Sequence, residues 1–206
     1  MNTVSRLIVA FFLFFSITKV AHAEKQPAHI VFSFDHSGSM VDSGNLAIQI
    51  EGVSAALEQY VTNCTQVRVS YIAWGSYSED PVSVLINDRA SREAFTETLR
   101  TKMRFHRIRG TLHRTGIMSA FTHIRNTPAS YSAIIFVTDE HGMSFDSGLP
   151  ERTMLFKISL GSILSKLYVA ERFMPKVGYA KHAQSPQDIT DTINEVFGIM
   201  TDSCVG

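Results

Sequence analysis

Tyr131 to Thr138 (YSAIIFVT) is a short, nearly continuous apolar run. A strand with one wet face alternates apolar and polar residues, whereas a run like this one is buried on both faces, in the middle of a parallel sheet. Parallel neighbours are joined by crossovers, so such a sheet demands helices around it. The rest of the chain supplies both kinds of element. His29 to Asp35 (HIVFSFD), Gln66 to Trp74 (QVRVSYIAW), Val82 to Ile86, Thr153 to Ser159 (TMLFKIS) and the weaker Lys176 to Lys181 read as strands. Helical spacing places Leu46, Ile50, Val53, Leu57, Tyr60 and Val61 on one face, Phe95, Leu99 and Met103 on a second, and Ile117, Phe121 and Ile124 on a third. A last helix uses Ile189, Ile193, Val196, Phe197 and Met200. Asp88 or Ser91 can cap the second helix, and Ser185-Pro186-Gln187-Asp188 opens the last with a capping Ser, a first-position Pro and an acid. Gly75 to Pro81 has the length of a hairpin rather than a crossover, which makes its flanking strands antiparallel and puts the third strand at an edge. The predicted fold class is α/β: a doubly wound, mainly parallel six-stranded sheet with one antiparallel edge strand and helices on both faces. Ligands of such sheets bind at the carboxyl ends of the strands.

Residues 1–23 read as a secretory signal. Arg6 is the positive start, Leu7 to Ile17 the apolar stretch, and Ala21-His22-Ala23 the cleavage site. The apolar run is shorter than the roughly 20 residues that span a bilayer. The expected product is one soluble domain, residues 24–206, secreted to the periplasm or the cell exterior and not inserted in a membrane. The leader contains Arg6 and Lys19 and no acid, so 17 basic residues face 19 acidic ones afterwards. That balance suits neither nucleic acid nor an anionic membrane surface. Cys64 and Cys204, an even pair in an oxidising compartment, are expected to form a disulfide.

The first strand ends in Asp35-His36-Ser37-Gly38-Ser39. One carboxylate and two neutral hydroxyls two and four residues on can serve a hard cation, and Mg²⁺, which keeps several waters, needs few protein ligands. Gly110-Thr111 brings a third hydroxyl, and Thr138-Asp139 a second carboxylate at the end of the buried strand. The predicted metal set is therefore Asp35, Ser37, Ser39, Thr111 and Asp139, with Mg²⁺ or Mn²⁺ as the ion. A hydrolase using Ser37 or Ser39 with His36 is disfavoured, because adjacent residues rarely reach nucleophile–base geometry and no G-x-S-x-G elbow is present. Without G-x-G-x-x-G or a P-loop lysine, nucleotide binding is disfavoured too. The chain is read as a non-enzyme.

This D-x-S-x-S loop, with Thr111 and Asp139, resembles the metal-ion-dependent adhesion site of von Willebrand factor type A domains, over about Ala28 to Met200. Gln49-Ile-Glu51-Gly52 and Tyr71-Ile-Ala-Trp74 look like a group of secreted bacterial type A-like proteins of unassigned function. The resemblance implies a cation-dependent adhesion or interaction module whose protein partner offers an Asp or Glu to the metal, with Thr111 and Asp139 often acting through water. It also implies that the first and last helices are neighbours, so that a Cys64–Cys204 bond either restrains sliding of the last one or is a plain staple near the chain terminus. Where the family has Gly-Gly-Thr this chain has Arg109-Gly110-Thr111; where it has a Gly soon after the Thr this chain has Arg114; and Asp139 is followed by Glu140 rather than Gly. His36, Arg109, Arg114 and Glu140 are the candidate ligand rim: Arg109 and Arg114 either recruit an acidic partner or lower cation affinity, Glu140 either raises cation affinity or fills the place of the partner's acid, and His36 turns away from the metal itself. A structural subunit of an envelope assembly, with a site that never exchanges ligand, is the alternative.

Overall fold

The computed structural model describes residues 26–59, 66–103, 106–139, 150–160 and 178–202. Strands β1 (Ala28–Asp35), β2 (Val67–Trp74), β3 (Val82–Ile86), β4 (Ser132–Thr138), β5 (Thr153–Leu160) and β6 (Gly178–Ala183) pair in the order β3-β2-β1-β4-β5-β6. All pairings are parallel except β2 with β3. The expected hairpin and antiparallel edge strand are therefore present. The weak strand sought at Lys176 to Lys181 instead starts and ends two residues later, and Tyr60, Val61, Cys64, Glu140, Cys204 and the leader lie outside the described residues.

Helices α1 (Gly38–Asp42), α2 (Asn45–Gln59), α3 (Arg89–Thr98), α4 (His113–Asn126) and α5 (Pro186–Asp202) surround the sheet. Strand alternation separates two cores. Ile30, Phe32 and Phe34 of β1 point toward Leu46, Ile50, Val53 and Leu57 of α2 and Ile189, Ile193 and Val196 of α5. Val31 faces the other way, with Ile72 and Trp74, onto Ile117, Phe121 and Ile124 of α4. β4 is buried along its whole length, as its composition requires.

Local chemistry sets the helix ends. Asp88 accepts from the Ser91 N–H at 2.7 Å while the Ser91 hydroxyl accepts from the Asp88 N–H, a reciprocal cap. At α5, Asp188 accepts from the Ser185 N–H at 2.9 Å and Ser185 Oγ accepts from the Asp188 N–H. The turn after α3, Leu99–Met103, winds as a π-helix and keeps Leu99 and Met103 in the core.

A polar cluster interrupts the second core. His29 is fully buried; its Nε2 lies 2.8 Å from Ser70 Oγ, which is 2.9 Å from His123 Nε2 and 2.6 Å from Ser83 Oγ. Burial, helped by the neighbouring His123 and Arg68, lowers the His29 imidazole from 6.5 to about 3. The unfolded chain then binds a proton below pH 6.5 that the folded chain refuses, so this group's contribution is complete above pH 6.5 and lost as pH falls toward 3. The expected loss is about 2–3 kcal/mol by pH 4.5. His29→Gln should flatten that part of the pH profile in urea titrations at pH 7 and pH 4.5, whatever its effect at pH 7. An unchanged slope would refute the assignment.

Candidate metal centre

The candidate site lies at the carboxyl end of β1, where the β2 and β4 neighbours flank it. Asp35 is the last residue of β1 and has no exposed surface. Its Oδ1 accepts from the Ser37 N–H at 2.8 Å and its Oδ2 from the Thr138 hydroxyl at 2.8 Å. Ser37 is the N-cap residue of α1 and is buried, while Ser39, one residue into the helix, is exposed. Their hydroxyl oxygens are 3.1 Å apart. Two cis ligands of an octahedral Mg²⁺ with bonds near 2.1 Å stand about 3.0 Å apart, so this pair is spaced to share one such ion.

Burial pushes the Asp35 carboxyl from 3.8 up to about 6, against the pull of the Ser37 and Thr138 hydrogen bonds, with a smaller push from the negative charge of Asp139. Asp139, directly after β4, is half-buried, and its buried Oδ1 has no hydrogen-bond partner among the described residues. A buried carboxylate thus feels a second one beside it, which carries an orphaned oxygen. That is the donor arrangement a divalent cation would satisfy. Among the described residues no cluster of three or more His, Cys, Asp or Glu suits a metal; this set has two carboxylates and three hydroxyls.

Thr111 is half-buried in the loop before α4. That loop is held at the same edge by the Ile108 N–H to His36 O bond at 2.9 Å and the Leu112 N–H to Gly75 O bond at 3.1 Å. Among the described residues no hydrogen bond joins Thr111 to Asp35, Ser37 or Ser39. Arg109 and Arg114 are exposed near this edge.

His36 is not on the rim. It is fully buried; its Nδ1–H donates to His106 O at 2.8 Å and its Nε2 accepts from the Tyr71 hydroxyl. Burial lowers its pKa to about 4 and raises that of Tyr71 well above the usual phenol range, so both are neutral. His106 continues outward to Glu79 Oε1 at 3.1 Å. The intervening position of the motif is used to pin the 106–108 segment under the Asp35–Ser39 loop. His36→Ala should leave the Tyr71 hydroxyl and the His106 carbonyl unpaired in the interior, lowering unfolding free energy by about 2–4 kcal/mol. Urea denaturation measures this, and a loss below 1 kcal/mol would show the network to be idle.

Sequence reasoning missed three supporting residues. Thr138 precedes the Asp it was noted with, but its bond to Asp35 depends on the β1–β4 register, in which Phe34 pairs with Val137. Gln49 Nε2 donates to the Asp35 backbone carbonyl at 3.2 Å. Arg107 grips Asp42 with both guanidinium ends, at 3.0 and 3.1 Å, across Gly38; a Cβ at Gly38 would come within 2.6 Å of its Nη2.

No protein-family model matches the sequence, and no curated protein aligns with it. Solved structures do match in fold. A von Willebrand factor type A protein from Catenulispora acidiphila superposes with a TM-score of 0.59 at 14% identity, over 85% of this chain and 43% of that one. The PilB minor pilin from Streptococcus sanguinis gives 0.60 at 10% identity, over 87% of this chain and 63% of that one. The protein BatB from Bacteroides thetaiotaomicron gives 0.58 at 13% identity, over 85% of this chain and 99% of that one. The chain therefore spans less than two thirds of the first two and nearly all of the third. At these identities the likeness is one of fold.

Proposed function

We propose that this chain, which has a von Willebrand factor type A-like fold, is an exported, non-enzymatic interaction module that holds one Mg²⁺ or Mn²⁺ at Asp35, Ser37, Ser39, Thr111 and Asp139. The reading includes a doubly wound scaffold, removal of residues 1–23, one domain over 24–206 and a Cys64–Cys204 disulfide. The observation that carries it is the fully buried Asp35 carboxylate, with the Asp139 charge acting on it and one Asp139 oxygen bare among the described residues, beside two hydroxyl oxygens at cis-ligand spacing. When bound, the ion supplies an open position for a carboxylate oxygen of a partner protein. The chain's own residues do the rest: Thr138 and the Ser37 N–H fix the Asp35 carboxylate, Gln49 holds the end of β1, and His36 holds the flanking loop.

The minor pilin among the fold neighbours supports a place in the cell envelope or outside the cell. Among the described residues no helix is long and apolar enough to cross a membrane. Titration calorimetry of residues 24–206 with MgCl₂ and MnCl₂ should give one site per chain, weakened in Asp139→Ala. Absence of heat together with an unchanged melting temperature in chelator would sink the proposal. A second reading, a structural subunit with a non-exchanging site, draws on the complete burial of Asp35 and near-complete burial of Ser37. Partner binding that persists after chelation favours it.

A further inference from the structure

The sheet face that packs on α4 carries a second polar constellation, and none of its residues belongs to the candidate metal set. Ser70 of β2 and Ser83 of β3 stand directly opposite each other in the antiparallel register, with their hydroxyl oxygens 2.6 Å apart. His123 of α4 closes a triangle with them, its Nε2 2.9 Å from Ser70 Oγ and 3.1 Å from Ser83 Oγ. His29 Nε2 reaches Ser70 Oγ from β1 at 2.8 Å. The cluster runs from dry to wet: His29 and Ser70 are fully buried, His123 is half-buried, and Ser83, on the edge strand, is exposed.

Proton counting gives the cluster a direction. Ser70 Oγ has three polar neighbours and one proton, so it accepts two hydrogen bonds and donates one. With His29 Nε2–H and the Ser83 hydroxyl donating to it, its own proton goes to His123 Nε2, and all three short contacts hold a hydrogen. His29 Nδ1 is then a bare lone pair, and it is the ring atom left buried without a partner among the described residues. The exposed Ser83 hydroxyl therefore stands at the head of a relay that ends on a neutral imidazole. Burial, then the nearby Arg68 charge, lowers the His123 pKa, which leaves that ring a free base at neutral pH. His123 also lines an open groove with Glu79, Asp80, Met118 and Thr122, which gives a small molecule access to it.

We propose that Ser83 is a nucleophilic serine that takes an acyl group from an activated ester or thioester, with Ser70 passing its proton to His123. A serine hydroxyl is a weak nucleophile until a positioned base removes its proton. Ser83 Oγ bonds to the acyl carbon while its proton moves to Ser70 Oγ and the Ser70 proton moves to His123 Nε2. The bond from the acyl carbon to the leaving alcohol or thiol then breaks, the imidazolium returns the proton to that leaving group, and the acyl group stays on Ser83 as an ester. The transfer is stoichiometric, a modification of the chain and not a turnover, so it stands beside the interaction-module reading and does not depend on it.

The test treats the purified protein with a rhodamine fluorophosphonate and, separately, with p-nitrophenyl acetate, and locates the modified residue by mass spectrometry. Both reagents should mark Ser83. Ser83→Ala should lose the mark with its melting temperature unchanged, because the residue is exposed. His123→Gln should slow the reaction about a hundredfold, the scale of a positioned general base. The native rate should be level from pH 7 to pH 9 and fall below pH 6.5 as the imidazole takes a proton. In His123→Gln it should climb steadily with pH, as for a serine without a base. Marking spread evenly over other serines, Ser83→Ala marked as fast as native, or a native rate that climbs like that of His123→Gln would overturn the proposal. Should His123→Gln not fold, the Ser83→Ala comparison and the native pH profile decide.

Discussion

Asp35→Asn protein is expected to bind no Mg²⁺ and yet, in chelator above neutral pH, to be more stable than the native sequence. The sign follows from the Asp35 carboxyl, raised to about 6 in the fold from its ordinary 3.8. A carboxyl raised by folding favours the folded state while protonated, below the unfolded value, and that advantage is lost as pH rises through 6. In the metal-free native protein the buried charge costs about 3 kcal/mol by pH 8, from a shift of about two units. An amide removes the charge while its oxygen still accepts from the Ser37 N–H, and the Thr138 hydroxyl can turn to accept from the amide. Saturating Mg²⁺ reverses the ranking, because a ligand at a thousand times its Kd adds about 4.1 kcal/mol to the native sequence and nothing to the variant. Thermal melts at pH 4 and pH 8, each with chelator and with Mg²⁺, measure all four terms. If the ion moves neither protein, or if the variant is less stable in chelator at pH 8, the electrostatic account of the site is wrong.

Gly52→Val should be the most damaging single substitution of a helical residue in the first core. Gly52 lies where α2 crosses α5: a Cβ there would stand 2.6 Å from Ile189 Cβ, 2.8 Å from its Cγ2 and 2.8 Å from the Pro186 carbonyl oxygen. Thr190 Oγ1 also donates to Gly52 O at 3.0 Å, so the helices are tied as well as touching. None of these atoms is the end of a flexible side chain. The helices must separate, and overpacking with loss of that contact should cost about 3 kcal/mol or more. Gly198→Ala is the control: its Cβ meets nothing within 4 Å, it is exposed within α5, and the higher helix propensity of alanine should stabilise by about 0.5–1 kcal/mol. Denaturant midpoints of the two variants, moving in opposite directions, separate close helix approach from glycine content. A Gly52→Val unfolding free energy within 1 kcal/mol of native would show that α5 is loosely docked.

Much of the scaffold was legible because its signals are short-range. Unbroken burial of SAIIFVT, a hairpin-length link after Trp74 and the Ser185-Pro186 start each depend on a few consecutive residues, and each corresponds to an observed element. The last strand was offset because Gly178 to Ala183 carries no clear alternation. The site was legible as residue types in order along one sheet edge, and only in part as geometry. Asp35, Ser37 and Ser39 are close in sequence, so their approach is nearly a local property. The bond from Thr138, the orphaned Asp139 oxygen and the Arg107 clasp join residues separated by up to about a hundred positions, which no local pattern encodes.

His36 marks the division most clearly. Its position between two candidate ligands put it at the site, and nothing nearby in sequence said that Tyr71 and the His106 carbonyl would draw it inward. Local spacing and hydrophobic period were enough to name an α/β sheet and the edge where its chemistry would sit, because both act over one or two turns of chain. Which polar groups were left buried, paired or bare at that edge was decided by tertiary structure, because solvent exclusion belongs to the packed whole and not to any segment of it.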